Sequence, residues 1–293
     1  MLITVFTPTY NRGHLLTTLF ESICRQTFKD FEWIVVDDGS SDNTQEVMEK
    51  IIAEKHDFPI RYIKTANGGK HRAVNCGVKE SKGELFFIAD SDDQLTDDAL
   101  LVVAEAYEDV RNNPLIGGIC GLDCEKDGKI IGSGLPKDHI NCTSVEIRYK
   151  HHVTGDLKEV FLTRVLKEIP MPEIEGERFS PEALTWYRIA KKYQLKFINH
   201  PIYIVEYQAD GLTAHILRLR MQSPIASMLT YKEMLEFKDI GLLRKCELAI
   251  NYYRFKLCTD KRVNPKISWK WYWAAPFGWL IHKKDLKLMN RKQ

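Results

Sequence analysis

FEWIVVDDGSSD, residues 31–42, begins as an apolar run rich in β-branched residues and ends in two adjacent aspartates followed by glycine and serine. LITVFTPTYN (2–11) and FFIADSDD (86–93) have the same form, an apolar run followed at once by polar side chains. Continuous apolar runs are typical of strands that are buried on both faces of a parallel sheet. Ligands of such sheets bind beyond the carboxyl ends of the strands. The pattern therefore predicts one functional edge, formed by residues 7–11, 37–40 and 90–93.

Helical periodicity separates these strands. Apolar residues at 15, 16, 19, 20 and 23 recur at the spacing of one helix face, which predicts a helix over 14–26. The first strand is expected to end at Pro8. Alternating strands and helices predict an α/β fold with a mostly parallel sheet. The other predicted elements are helices over 44–54, 72–79 and 98–110 and strands over 32–36, 60–64 and 84–90.

Composition narrows the class of protein. The chain has 293 residues, of which 44% are hydrophobic and 28% charged, as in ordinary soluble globular proteins. Its net charge of +2 gives no sign of a nucleic-acid partner. The amino terminus lacks a basic leader, and no apolar run reaches the roughly 18 residues of a spanning helix. We therefore expect a cytoplasmic protein.

The seven cysteines are scattered, which disfavours a disulfide framework and favours a reducing compartment. The closest grouping has spacings that fit no common zinc pattern. A zinc site and plain thiols are both open interpretations, and the spacing favours thiols. The residues of this grouping are Cys120, Cys124, His139 and Cys142.

The acidic end of 86–93 predicts a cation site. Carboxylates at a strand end can be held together by Mg²⁺ or Mn²⁺, which prefer oxygen ligands and combine one or two carboxylates with substrate phosphates. The alternative is a solvated turn before a helix, the role expected of Asp97 and Asp98. Residues 64–71 do not form a P-loop, because Lys64 and His71 replace the required Gly and Ser or Thr.

Four motifs carry a resemblance to a known family. They occur in order over about the first 100 residues, as TPTYNR (7–12), QTFKDFEWIVVDDGSSD (26–42), NGGKHRAVN (67–75) and IADSDD (88–93). With this set the chain resembles the inverting nucleotide-sugar glycosyltransferases of family 2, which have the Rossmann-like GT-A fold. FSPEALTWYRIA (179–190) and EYQADGLT (206–213) are similar to the members that build bacterial surface polysaccharides.

The resemblance implies a nucleotide site. Asp38 is expected to accept a hydrogen bond from uracil N3–H, with Asp37 supporting it. Arg12 and Lys70 suit phosphate contacts, Arg as a planar fork and Lys as a point charge, although both can also be plain surface cations. The residues expected to line the nucleoside pocket are Pro8, Thr9 and Tyr10.

The resemblance also implies roles for residues 90–93. Asp92 is expected to ligate Mn²⁺ or Mg²⁺ directly. Asp90 is expected to contact the ribose or a metal-bound water and joins the metal set. Asp93 is expected to orient a neighbour or approach the sugar, and Ser91 belongs to the same nucleotide-sugar-binding set.

The expected general base is Glu182, six residues before the run Arg188-Ile189-Ala190. The family usually has an Asp in a Glu-Asp pair here, whereas this chain has Pro181-Glu182, so a first-turn helix acid is the alternative. Glu175 and Glu177 are the substitutes. His215 is either a metal or diphosphate contact or a surface histidine.

The segment between these motifs is less informative. Residues 117–135 predict short strands with turns at 127–128 and 132. LKEVFLTRVLKEI (157–169) predicts a helix, for which Asp156 is either the N-cap or a residue that faces the acceptor. Residues 207–222 are predicted to form a lid that orders when the donor binds.

The resemblance implies a metal-dependent enzyme that moves a sugar from a UDP-sugar to a hydroxyl of a glycan or lipid-linked acceptor, with inversion. A non-catalytic nucleotide- or glycan-binding relative and a nucleotidyltransferase are the alternatives. Residues 1–220 are expected to form the catalytic domain, with a nucleotide-binding half (1–100) and an acceptor half (101–220). Residues 221–293 are expected to form a helical C-terminal region.

The C-terminal tail has an unusual composition. The segment 266–293 contains four tryptophans within a stretch of eleven residues. It also contains lysines at 266, 270, 283, 284 and 287. This combination is typical of proteins that contact a bilayer surface rich in anionic lipid. We therefore predict peripheral contact with the inner face of the cell membrane. Packing of the tail on the catalytic domain or in an oligomer is the alternative.

Overall fold

The computed structural model describes residues 1–206, 208, 215–259 and 265–290. The chain folds into two compact units. The first comprises Met1–Pro170 and Ile189–Gln208, and the second comprises Met171–Arg188 and Ala209–Gln293. This division does not coincide with the boundary that we placed at residue 220, and the assignment of domains stays a prediction.

The first unit contains one sheet. Its strand order is β3-β2-β1-β4-β8-β6-β9-β5, and β7 pairs with β9 outside this order. The first four strands pair in parallel, as do β6 and β9, whereas β8 is antiparallel to both of its neighbours. The strands are β1 (Ile3–Thr9), β2 (Phe31–Asp37), β3 (Ile60–Lys64), β4 (Leu85–Ile88), β5 (Gln94–Leu95), β6 (Ile116–Cys124), β7 (His139–Cys142), β8 (Leu157–Leu162) and β9 (Gln194–Ile204).

Helices flank this sheet, which confirms the predicted α/β class. The β1, β2 and β4 strands are buried along their whole length, as expected for central strands covered on both faces. The helix at 70–80 packs against β1 and β2, and the helix at 99–108 packs against β9. The helices of this unit are α1 (Gly13–Cys24), α2 (Thr44–Ala53), α3 (Lys70–Glu80), α4 (Ala99–Glu108), α5 (Glu146–Tyr149) and α6 (Thr163–Glu168).

Two sequence predictions in this unit are wrong. The first strand does not end at Pro8 but continues in register with β2 to Thr9. Pro8 is tolerated because pairing of β1 with β4 has already ended at Phe6, so its missing N–H faces no ladder partner there. Residues 157–162 form β8 instead of a helix, because pairing with β4 and β6 overrides the local pattern. Asp156 therefore precedes a strand and is not a helix N-cap.

The second unit is helical, which confirms the predicted C-terminal helices. Pro276 and Gly278 both lie within the last helix, Ala275–Asn290. Pro276 occupies the first turn, where its missing N–H is harmless. No helix in the described part of the chain is long and apolar enough to cross a membrane. The helices are α7 (Glu182–Ala190, which continues into the first unit), α8 (Ile216–Gln222), α9 (Pro224–Leu235), α10 (Leu242–Lys256), a 3-10 helix (Trp269–Ala274) and α11 (Ala275–Asn290).

Candidate active site

The ends of β1 and β2 are tied together. The Asp38 N–H donates to Thr9 O at 2.9 Å, and the Asn11 N–H donates to Ser40 Oγ at 2.8 Å. Asn11 has φ of 52°, in the left-handed region that Asn tolerates better than most residues. Pro8 and Thr9 are buried, whereas Tyr10 is 49% exposed and offers its ring to a ligand. The structure thus brings TPTYN and DDGS to one edge.

Asp37 is a structural carboxylate at this edge. It is fully buried, with Oδ1 accepting the Ser40 N–H at 2.7 Å and Oδ2 accepting the Tyr62 hydroxyl at 2.5 Å. Burial and the hydrogen bond to Asp37 raise the pKa of Tyr62, so the phenol remains a donor. One oxygen therefore holds the turn after β2 and the other contacts β3, and the supporting role expected of Asp37 stays a prediction.

Asp38 anchors the loop that precedes α3. Its Oδ1 accepts the Gly68 N–H at 2.7 Å, and its Oδ2 accepts the Gly69 N–H at 2.8 Å and Asn67 Nδ2–H at 3.2 Å. Gly69 has φ of 98°, which side-chain-bearing residues rarely adopt. A carboxylate offers about four acceptor positions, so three protein donors leave room for one more. The contact with uracil stays a prediction, and the loop anchor is a role that the sequence did not reveal.

Asp90 follows β4 and meets two cations. Its Oδ1 lies 2.6 Å from Lys70 Nζ, and its backbone N–H donates to Tyr203 Oη at 2.7 Å. Burial raises the pKa of Asp90, but the charges of Lys70 and Lys158 outweigh it, and the pKa lies below its ordinary value. Asp90 is therefore ionised and paired at neutral pH.

The two other carboxylates of the cluster have the opposite shift. Burial and then the charge of Asp90 raise the pKa of Asp92, although Arg12 and Lys70 oppose this. Burial and the charge of Asp90 also raise the pKa of Asp93 to about 6. Asp93 Oδ1 accepts the Glu206 N–H at 2.8 Å. The structure thus brings Arg12 and Lys70 near the carboxylates, and their contact with phosphate stays a prediction.

The donor set of this cluster fits a hard divalent cation. Two carboxylates, Asp90 and Asp92, raise each other's energy by like-charge repulsion, which a cation between them would relieve. Within the described ranges, no group of three or more His, Cys, Asp or Glu side chains could hold a metal ion. That includes the Cys120, Cys124, His139 and Cys142 grouping. Mg²⁺ is commonly bound by one or two protein carboxylates together with substrate phosphates, and this pair of carboxylates matches the protein's share of such a ligand set.

Comparison with known proteins places the chain in a family. The family model described as "Glycosyl transferase family 2" matches residues 4–127. A relative from Campylobacter jejuni, "GalNAc(5)-diNAcBac-PP-undecaprenol beta-1,3-glucosyltransferase", is 32% identical over 91% of this chain and 89% of its own length. This chain belongs to glycosyltransferase family 2.

Solved structures agree on the fold of this glycosyltransferase. Staphylococcus aureus TarS 1-349 in complex with UDP-GlcNAc matches 100% of this chain and 93% of its own chain, with a TM-score of 0.63 at 18% identity. The mannosyltransferase PcManGT from Pyrobaculum calidifontis, in complex with GDP-Man and Mn²⁺, matches 95% and 73%, with a TM-score of 0.57 at 19% identity. The fold is GT-A.

The predicted base lies in the second unit of the glycosyltransferase. Glu182 is the first residue of α7 and is half-buried. Of its substitutes, Glu175 is exposed, whereas Glu177 Oε1 and Oε2 accept the N–H groups of Ile225 and Ala226 at 2.7 and 2.9 Å. Glu177 therefore satisfies the start of α9 and is unsuited to proton transfer. The assignment of Glu182 as the base stays a prediction.

His215 is exposed at the start of α8, also in the second unit. Its contact with metal or diphosphate stays a prediction. The lid that we predicted over 207–222 includes residue 207 and residues 209–214, which lie outside the described residues.

Sequence reasoning missed three residues beside the cluster. Lys158 Nζ lies 3.6 Å from the centroid of the Tyr203 ring, and Tyr203 in turn holds the Asp90 N–H. Asp123, at the end of β6, is 5% exposed, and its buried Oδ1 has no hydrogen-bond partner among the described residues. Burial raises the pKa of Asp123 to about 7, although Lys158 opposes it. No local motif marks these residues, because they meet only through the pairing of β8, β6 and β9.

Proposed function

We propose that this glycosyltransferase moves a hexose from a UDP-sugar to a hydroxyl group of a lipid-linked or glycan acceptor, with inversion and with Mn²⁺ or Mg²⁺. The observation that carries the proposal is the cluster at the end of β4. Asp90 and Asp92 supply oxygen ligands there, while Lys70 and Arg12 supply positive charge beside them. A diphosphate and a divalent cation need this combination.

The chain's own residues would divide the work as follows. Tyr10 and Asp38 receive the nucleoside, Asp92 and Asp90 hold the cation, and Lys70 and Arg12 neutralise the diphosphate. A bound cation supplies Lewis-acid stabilisation of the departing diphosphate. Glu182 accepts the proton of the acceptor hydroxyl as that oxygen attacks the anomeric carbon. A general base of this kind typically contributes about 10²–10⁴-fold to the rate.

The acceptor class rests on relatives. The Campylobacter enzyme named above acts, by its name, on an undecaprenyl-diphosphate-linked glycan. We infer a lipid-linked or glycan acceptor for this chain too, in the synthesis of a surface polysaccharide such as a capsule. The identity over 91% of the chain, including the region beyond the nucleotide-binding half, supports this inference.

A panel of UDP-sugars tests the proposal by thermal unfolding with and without Mn²⁺. Ligand at 100 times its Kd stabilises the folded state by about 2.7 kcal/mol, or roughly 5–10 °C for a chain of this size. We expect one UDP-sugar to give a shift of this order only in Mn²⁺, and Asp92→Asn to lose the metal-dependent part. No shift with any UDP-sugar would contradict the proposal.

A further inference from the structure

The buried face of the 3-10 helix and α11 in the second unit includes charged and polar side chains. Along the 3-10 helix and α11, the buried residues recur every three or four positions and are Trp271, Ala274, Gly278, His282 and Asp285. A Cβ on Gly278 would lie 2.6 Å from Tyr253 Cβ, so only glycine allows this close approach to α10. Arg254 Nη2 lies 2.8 Å from Asp285 Oδ1. The inward face thus contains an ion pair and a histidine.

The outward face of the same segment is apolar. Its large side chains are between 38% and 79% exposed. A helix that faces water normally shows the reverse distribution, with apolar residues inward and charged residues outward. We call this surface the aromatic face, and its residues are Trp269, Tyr272, Trp273, Phe277, Trp279, Leu280, Leu286 and Leu288.

Lysines surround the aromatic face. All five lysines of 265–290 are exposed, and Lys283 Nζ lies 5.8 Å from the Trp279 ring centroid. The one acidic residue in that range is Asp285, which is buried against Arg254. The surface is therefore apolar and positive, with no acidic side chain of its own segment to neutralise it. The lysines are Lys266, Lys270, Lys283, Lys284 and Lys287.

A groove of about 540 Å³ adjoins this face within the second unit. Apolar side chains line most of it, among them Leu242, Trp271 and Trp273, together with Lys245 and Lys270. The groove therefore extends the apolar and positively charged surface of the aromatic face.

We propose that the aromatic face binds the surface of an anionic lipid bilayer. Indole and phenol rings partition into the interfacial region, and lysines beside them gain from anionic headgroups. A second copy of the chain is the competing occupant. A two-fold contact would bring the five lysines of one copy against the five of its partner, which charge repulsion disfavours. The inference concerns attachment and does not rest on the proposed sugar transfer.

Cosedimentation of the full chain with vesicles tests the contribution of the apolar side chains to membrane binding. We expect binding to vesicles of phosphatidylglycerol and phosphatidylethanolamine and little binding to phosphatidylcholine alone. F277S/L280S, which removes side chains 51% and 58% exposed, should weaken binding by about tenfold or more. I52S/L115S is the matched control, because those side chains are 41% and 59% exposed in the other unit. It should bind like the unmodified protein.

A second pair of variants tests the charge. K283Q/K284Q should lower the partition coefficient on the anionic vesicles by roughly 25-fold, since each lysine near such a surface contributes about a factor of five. K55Q/K82Q, two exposed lysines of the first unit, should have little effect. Circular dichroism should show unchanged helix content in every variant.

Three results would overturn the proposal. One is the absence of vesicle binding by the unmodified protein, and another is unchanged binding by F277S/L280S. The third combines two observations: light scattering shows a dimer that F277S/L280S converts to a monomer, and neither form binds vesicles. That result would assign the aromatic face to a second copy of the chain.

Discussion

Asp123→Asn should stabilise the protein at pH 8 far more than at pH 5. The Asp123 carboxyl is 5% exposed, and its Oδ1 is buried without a hydrogen-bond partner among the described residues. Burial raises its pKa from 3.8 to about 7. Between these two values the folded state binds more protons than the unfolded state, so the free energy of unfolding falls as the pH rises.

The size of this effect follows from the shift. Each pKa unit corresponds to about 1.4 kcal/mol, so about three units cost the folded state roughly 4 kcal/mol once the pH exceeds 7. At pH 5 the unfolded carboxyl is ionised and the folded one protonated, and the cost is about 1.5 kcal/mol. Asparagine has nearly the shape of the neutral acid and carries no charge. The variant should therefore gain about 2–3 kcal/mol more at pH 8 than at pH 5.

Urea denaturation at both pH values, in buffer with a chelator, measures the difference. Asp138→Asn is the control, because Asp138 is exposed, and it should change the free energy of unfolding equally at both pH values. An equal effect of Asp123→Asn at pH 5 and pH 8, or a loss of stability at pH 8, would refute the reasoning. Either result would mean that the Asp123 carboxylate has a partner in solution.

The other predictions concern the nucleotide edge and the base. Glu182→Gln should lower sugar transfer by about 10²–10⁴-fold while UDP binding in Mn²⁺ survives, which calorimetry and product assays measure together. Asp38→Asn should cost about 1.5–3 kcal/mol in urea denaturation, because an amide N–H₂ would face a backbone donor, whereas Asp138→Asn, at an exposed position, should cost less. Lys158→Met should raise the pKa of Asp90, one of the two predicted metal ligands, so that Mn²⁺ binding is lost at a higher pH on acidification, and Lys55→Met should leave the profile unchanged.

Much of the functional edge of the sheet could be predicted, because it depends on the periodicity of apolar residues and on the order of the strands in the sequence. Strands that are buried on both faces, such as β1 and β2, appear in the sequence as continuous apolar runs. The strand β3 is only partly buried, and it begins and ends where the sequence pattern places it, at Ile60 and Lys64. Parallel pairing then brings the strand ends together without further information. Lys70, at the start of α3, was assigned to this site by the family resemblance and not by the strand pattern, and its Nζ lies 2.6 Å from Asp90 Oδ1.

The rest depends on pairing between distant segments. The apolar residues of LKEVFL (157–162) fit a helix as well as a strand. The segment forms a strand because it pairs with β4 on one side and β6 on the other. A helix prediction for this segment does not place Lys158 beside Tyr203, because that contact requires β8 to be part of the sheet. The loop contact of Asp38 is hidden in the same way, because its three donors lie 29 to 31 residues away along the chain.

The lysines explain how the acidic cluster is tolerated before a donor binds. Lys70 contacts Asp90 directly. Lys158, which lies over the Tyr203 ring, lowers the pKa of Asp90 and opposes the rise in the pKa of Asp93. A UDP-sugar diphosphate carries about two negative charges, and Mn²⁺ or Mg²⁺ carries two positive ones. Their joint arrival would leave the net charge of the cluster unchanged, so Lys70 could be shared between Asp90 and a phosphate without a carboxylate losing its counter-charge. Either partner alone would unbalance the cluster, and this argues that nucleotide and cation bind together.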